Sequence, residues 1–242
     1  MLRPASDPGA DRPPACRLGV CDGSGWILRE DDLAEPCDCR ERMIGRALSQ
    51  NVGTGIPKRF RGVSFDRRPI VDLDPMVLRI VRTYVEQIEK NLDEGGGLWF
   101  AGDVGTGKTS LAMLVSDAAE RSGRSVAIYP MTRLLAEIKE TYDREGRPGR
   151  SYMDLFRRLA SVDLLQLDDL GAEKRTEWVL EQLYSIVNER WQDQRAIVVT
   201  TNTTDMAALR EELGTRTVSR LTEICGEPIP IMGPDLRIPP MR

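Results

Sequence analysis

The chain has 242 residues, with 34 Lys and Arg against 38 Asp and Glu, a formal net charge of −4. That length fits one sizeable domain plus a small extra piece, and 40% apolar residues suffice for a packed core. The absence of histidine excludes Ser-His-Asp catalysis, imidazole acid–base chemistry and His-ligated metal sites, and no apolar run approaches the ~20 residues of a membrane span.

In chain order, residues 1–14 are rich in Pro, Gly and Asp and read as a disordered tail without the apolar stretch of a secretory signal. Residues 15–40 hold four of the five cysteines, Cys16, Cys21, Cys37 and Cys39. Residues 41–71 are a basic linker, with Arg42, Arg46, Lys58, Arg59, Arg61, Arg67 and Arg68 against Glu41 and Asp66 in the stretch to residue 68. Its Phe60 and Phe65 either stack on bases or dock on the domain that follows; docking is the simpler expectation.

From residue 72 to 242 the pattern changes to alternating helices and strands. Asp74-Pro75 starts a helix whose stripe of Val77, Ile80, Val81, Tyr84, Val85 and Ile88 has helical spacing, and Gly95-Gly96-Gly97 ends it. Strands are expected at Leu98–Ala101, Ser125–Tyr129, Val162–Leu167, Ala196–Thr200 and Ile229–Met232. Helices are expected at 108–121, 132–142, 175–192, 205–213 and 215–224, with a loop over 144–151. Short apolar strands alternating with helices define an α/β fold with a five-stranded parallel sheet covered on both faces.

Chemistry concentrates at the ends of these strands. Gly102, Asp103, Val104, Gly105, Thr106, Gly107, Lys108 and Thr109 fit G-x-x-x-x-G-K-[ST], after a strand and at the head of a helix, with Ser110 next. Glycines let backbone N–H groups converge on phosphate oxygens, and the helix N-terminus adds partial positive charge. Lys108 is placed for the β- and γ-phosphates of ATP, and Thr109 for Mg2+. Sixty residues on, Leu164–Leu167 leads into Asp168-Asp169. Two carboxylates at a strand's C-terminal edge suit Mg2+ binding by Asp168 and polarisation of the attacking water by Asp169. Asn202, at the tip of the Val198–Thr201 strand, reads either as a turn residue or as a group that orients the water or the γ-phosphate.

These motifs together resemble AAA+ ATPases, and more narrowly the bacterial DnaC/DnaI helicase loaders, their phage relatives and the IstB-type transposition ATPases. The resemblance spans roughly residues 56–240. It rests on GDVGTGKT at 102–109, LLQLDDLG at 164–171, VVTTN at 198–202, Ser219-Arg220-Leu221 and Arg237 in Pro234-Asp235-Leu236-Arg237. It implies that Lys108, Asp169, Asn202 and Arg220 carry hydrolysis, with Asn202 as sensor 1, Arg220 as an arginine finger donated to a neighbouring copy and Arg237 as sensor 2. Arg216, one turn before Arg220, could share the finger role.

Cys16-x4-Cys21 and Cys37-x-Cys39 suit one Zn2+, because so small a piece cannot build its own core; unliganded reduced thiols are the alternative. Cys225 reads as a packed core thiol. The resemblance adds that an N-terminal zinc-binding domain serves helicase contact in DnaI-like loaders. The expectation is therefore a cytoplasmic, Mg-dependent ATPase acting as a helicase loader. Its partners would be a replicative hexameric helicase, single-stranded DNA and copies of itself, with no membrane. The competing reading is an IstB-like transposition ATPase working with a transposase on duplex DNA. A small-molecule kinase is disfavoured, since only the 144–150 loop offers an arginine-rich lid.

Overall fold

The computed structural model describes residues 16, 19–29, 33–37, 39–40, 43, 55–143, 151–172 and 174–237. The tail at 1–14, most of the linker's first half and the loop at 144–150 lie outside the described residues.

Near the N-terminus, β1 (Trp26–Leu28) and β2 (Ala34–Pro36) form an antiparallel ribbon. The larger sheet is built from β3 (Leu98–Ala101), β4 (Val126–Pro130), β5 (Leu164–Leu170), β6 (Ala196–Thr201) and β7 (Ile229–Pro230). All pairings are parallel, in the order β4-β5-β6-β3-β7. The expected five-stranded parallel sheet is present, and β6 lies between the strand that leads into the phosphate loop and the strand that carries the two aspartates.

Strand parity sorts the core. Leu98, Phe100, Val126, Ile128, Leu164, Ala196 and Val198 face α1 (Pro75–Glu86), α2 (Ile88–Asp93) and α3 (Lys108–Arg121). Their neighbours Trp99, Ala127, Tyr129, Leu165, Leu167, Ile197 and Val199 face the opposite layer. That layer comprises α4 (Met131–Asp143), α5 (Tyr152–Ser161), α6 (Glu177–Gln192), α7 (Met206–Leu213) and α8 (Thr215–Cys225). This is the period-2 geometry of a sheet buried on both sides.

Three details differ from the sequence expectation. The first helix breaks at Gln87 into α1 and α2, although its Asp74 cap and Pro75 start are as read, with Asp74 accepting from the Met76 amide at 2.7 Å. Helix α5 was not anticipated. It is started by a capping box between Ser151 and Asp154 and buries Leu155 and Leu159 at i,i+4 spacing. Strand β5 runs on through both aspartates to Leu170, with a shift of register against β6 between Leu167 and Leu170.

Phe60 and Phe65 dock on the α1–α3 core alongside Ile56 and Val63, and the Arg82 guanidinium lies 4.4 Å from the Phe65 ring centroid. This is the docking expected of the two rings. Cys225 packs against the opposite layer, its thiol 3.3 Å from the Ile197 carbonyl oxygen. No helix among the described residues is long and apolar enough to cross a membrane.

Candidate nucleotide site and cysteine cluster

The phosphate loop links β3 to α3. Gly105 and Gly107 have φ of 84° and 101°, a left-handed region that disfavours any Cβ. At Gly107 a Cβ would also crowd Leu73 Cδ2 at 3.2 Å. Thr106 braces the loop from within, its hydroxyl donating to the Asp103 carbonyl at 2.9 Å. The Lys108 ammonium donates to the carbonyls of Gly102 and Asp103, both at 2.7 Å. Burial draws its pKa below the ordinary lysine range, and the charge of Arg237 acts in the same direction. Asp169, Asp168 and Asp103 oppose that shift.

Parity explains why the second half of the site meets the first. Asp168 follows Leu164 and Gln166 on the α3 face of β5, and Thr200 follows Ala196 and Val198 on the same face of β6. Gln166 there accepts from Ser116 of α3 at 2.7 Å. Two residues on, Asp168 Oδ2 accepts from the Thr109 hydroxyl at 3.2 Å, and Oδ1 accepts from the Thr200 hydroxyl at 2.9 Å. Burial raises the Asp168 pKa above the usual carboxylate value, against these two hydrogen bonds, which lower it.

Asp169 has φ of 65°, unusual for a residue with a side chain. This backbone turn takes its carboxylate off the parity of the strand and presents Oδ1 to Asn202 Nδ2 at 2.7 Å. The Asp169 amide donates to Thr200 Oγ1 at 2.8 Å. Thr200 thus fixes both aspartates with one hydroxyl. Sequence reasoning missed it; the signal was its even parity with Val198 on a strand entering the site.

The C-terminal segment crosses the loop. The Ile231 amide donates to the Ala101 carbonyl at 2.7 Å and the Leu236 amide to the Gly105 carbonyl at 3.0 Å. This brings Arg237 close enough to act electrostatically on Lys108. The structure therefore gathers 102–110, Asp168, Asp169, Asn202 and Arg237 around one place. Val104 is exposed at the loop tip and Ser110 is buried in the first turn of α3. Arg220 stands apart on α8, stacked on Trp191 and paired with Glu223, and Arg216 is exposed one turn earlier.

The residues present fit the groups the motif implies. A glycine loop that opens a helix suits a polyphosphate. Thr109 and Asp168 offer two hard oxygen donors side by side, as Mg2+ requires.

The four thiols Cys16, Cys21, Cys37 and Cys39 have sulfurs all within 4.8 Å of one another, with Cys16–Cys37 at 3.9 Å and Cys21–Cys39 at 3.4 Å. A tetrahedral site with Zn–S of ~2.3 Å needs sulfurs ~3.8 Å apart. The Cys37 amide donates to the Gly25 carbonyl at 2.9 Å, so the ribbon itself brings the second cysteine pair onto the first. Burial and the neighbouring thiols raise the Cys39 pKa, which a bound cation would reverse.

A parallel sheet of this order, with a phosphate loop, paired aspartates and a polar strand tip between them, defines a P-loop AAA+ nucleotide-binding fold. The family model described as "IstB-like ATP binding protein" matches residues 76–220, and the chain belongs to that DnaC/IstB-like family. The replicative helicase loader DnaC of Buchnera aphidicola subsp. Schizaphis graminum is 26% identical over 196 residues, 81% of this chain and 73% of that one. DnaC of Escherichia coli K12 is 29% identical over 140 residues, 58% of this chain and 54% of that one. A crystal structure of the DnaC helicase loader superposes with a TM-score of 0.63 at 28% identity, over 73% of this chain and all of that one.

Proposed function

We propose that this chain is an ATP-dependent helicase loader. On this reading it binds a replicative hexameric helicase and single-stranded DNA, with ATP holding the assembly and hydrolysis releasing it. The observation that carries this reading is the likeness to DnaC over 196 residues, joined to a phosphate loop whose Thr109 meets Asp168 and a neighbouring Asp169 that meets Asn202.

Each residue then has a task. The loop amides and Lys108 hold the β- and γ-phosphates, and Lys108 exchanges its two carbonyl partners for phosphate oxygens. Thr109 and Asp168 would hold Mg2+, which when bound would neutralise charge on the polyphosphate. Asp169 accepts a hydrogen bond from the attacking water, and Asn202 keeps the Asp169 carboxylate aimed. The water oxygen bonds to Pγ as the bond from Pγ to the β–γ bridging oxygen breaks; ADP leaves with that oxygen, and the water's proton passes to the inorganic phosphate that is released. Arg237 stabilises phosphate charge from the same chain, and Arg220 does so from a neighbouring copy. A head-to-tail contact of that kind builds a ring or an open spiral. The cysteine module, holding Zn2+, is the helicase-docking piece.

The test is unwinding of a forked DNA by the host's helicase when the single strand is closed, so that the helicase cannot thread on by itself. The chain with ATP should allow unwinding, and Lys108→Ala should not. The match to an IstB-like ATP-binding family is the observation that keeps a second reading, a transposition ATPase. Stimulation of a transposase on duplex DNA, with no effect on the helicase, would select it.

A further inference from the structure

Arg220 is held in a way that Arg216 is not. Its guanidinium carbon lies 3.4 Å from the centroid of the Trp191 ring, at the end of α6. Its Nη1 donates to Glu223 Oε1 at 2.9 Å, and the other oxygen of that carboxylate accepts from Trp191 Nε1 at 2.8 Å. Ring, carboxylate and guanidinium thus close a three-membered circuit, each member fixed by the other two. Among the described residues, Arg220 Nε and Nη2 make no hydrogen bond within the chain, and neither is buried. One edge and one face of the fork are tied while the remaining donors face solvent. Arg216, one turn earlier on α8, is exposed and makes no such contact.

We propose that Trp191 and Glu223 are positioning residues that hold the Arg220 guanidinium ready for the γ-phosphate of a neighbouring copy. The inference rests on the trans-finger reading above and deepens it, because it assigns the finger to Arg220 over Arg216 and names what holds it. A free arginine loses much rotamer freedom when it docks on a phosphate. Here that freedom is already lost in the isolated chain, so less remains to be lost at the encounter. A flat ring under the guanidinium and a carboxylate at one edge restrict it to one plane, and a forked contact from Nε and Nη2 to phosphate oxygens requires such a plane.

The experiment measures ATP turnover of the chain assembled with helicase and single-stranded DNA, beside ATP affinity and thermal midpoint of the chain alone. Trp191→Ala and Glu223→Ala should each lower the turnover number by roughly tenfold, with ATP affinity and midpoint of the lone chain near wild type. Trp191→Phe, which keeps the ring face, should stay within about threefold. Mixing Trp191→Ala chains with Lys108→Ala chains should restore turnover, because the second supplies a well-held Arg220 to the intact site of the first. If Arg220→Ala abolishes turnover but Trp191→Ala and Glu223→Ala stay within twofold, the inference fails and the finger reading stands. If Arg220→Ala itself leaves turnover unchanged, the finger reading fails and takes the inference with it.

Discussion

Asp168 and Thr200 show how one strand position sets chemistry. Thr200 is fully buried, and its hydroxyl serves both aspartates. Thr200→Val keeps the shape and removes both bonds. An unsatisfied acceptor in a dry site costs about 1–3 kcal/mol, so the turnover number should fall roughly 10- to 100-fold while ATP affinity changes little. Steady-state kinetics beside nucleotide titration checks this. Asp168 makes a second prediction, from its raised pKa. An acid whose folded pKa exceeds its unfolded one disfavours the fold once ionised. That cost is complete above the folded pKa and vanishes as pH falls to the ordinary Asp value. Asp168→Asn should therefore raise the nucleotide-free thermal midpoint at neutral pH, by roughly 2–4 °C per kcal/mol relieved. The gain should shrink near pH 4, and the variant should lose the stabilisation that ATP with Mg2+ gives the wild type. A fall in the nucleotide-free midpoint would contradict this.

At the scale of elements, the buried Arg190 of α6 ties the fold behind the site together. Its guanidinium donates to the carbonyls of Leu159, Ala160 and Val162, which end α5, and to those of Asp163 and Ala196 beside β5 and β6. Arg190→Met leaves those oxygens unpaired, and a loss of about 1–3 kcal/mol for each one left without a partner is expected in denaturant unfolding. The cysteine ribbon has no comparable core of its own. On the zinc reading, modifying the four thiols with a mercurial should release one Zn2+ per chain, read by mass spectrometry, and leave the thermal midpoint of the larger domain unchanged; no released metal would contradict it.

The strands, the phosphate loop and the Asp168-Asp169 pair were legible in the sequence because they combine short apolar runs with a rigid backbone motif. Helix α5 was not, although Ser151, Asp154, Leu155 and Leu159 carry its cap and its stripe; the expected loop over 144–151 ends where this helix begins. The Asp169–Asn202 contact depends on one left-handed residue and a register shift, which no local pattern announces. The Trp191–Arg220–Glu223 circuit joins two helices distant in sequence. No local pattern in the sequence announces it.

For the whole molecule, the layout separates two tasks. One sheet end gathers the phosphate loop, both aspartates and Asn202, while among the described residues Arg220 on α8 pairs with Trp191 and Glu223. On the proposed trans-finger reading, such a chain completes its chemistry beside another copy, and turnover should rise with chain concentration more steeply than in proportion. The measurement that tests the central claim most directly is mass photometry of the chain with the replicative helicase of its own host. It would be made with ATP and with ADP, for wild type and for Cys37→Ser/Cys39→Ser. The account predicts a complex of chain and helicase hexamer that ATP favours over ADP and that the cysteine variant loses. No complex in either nucleotide state would contradict the loader reading and turn attention to a transposase on duplex DNA.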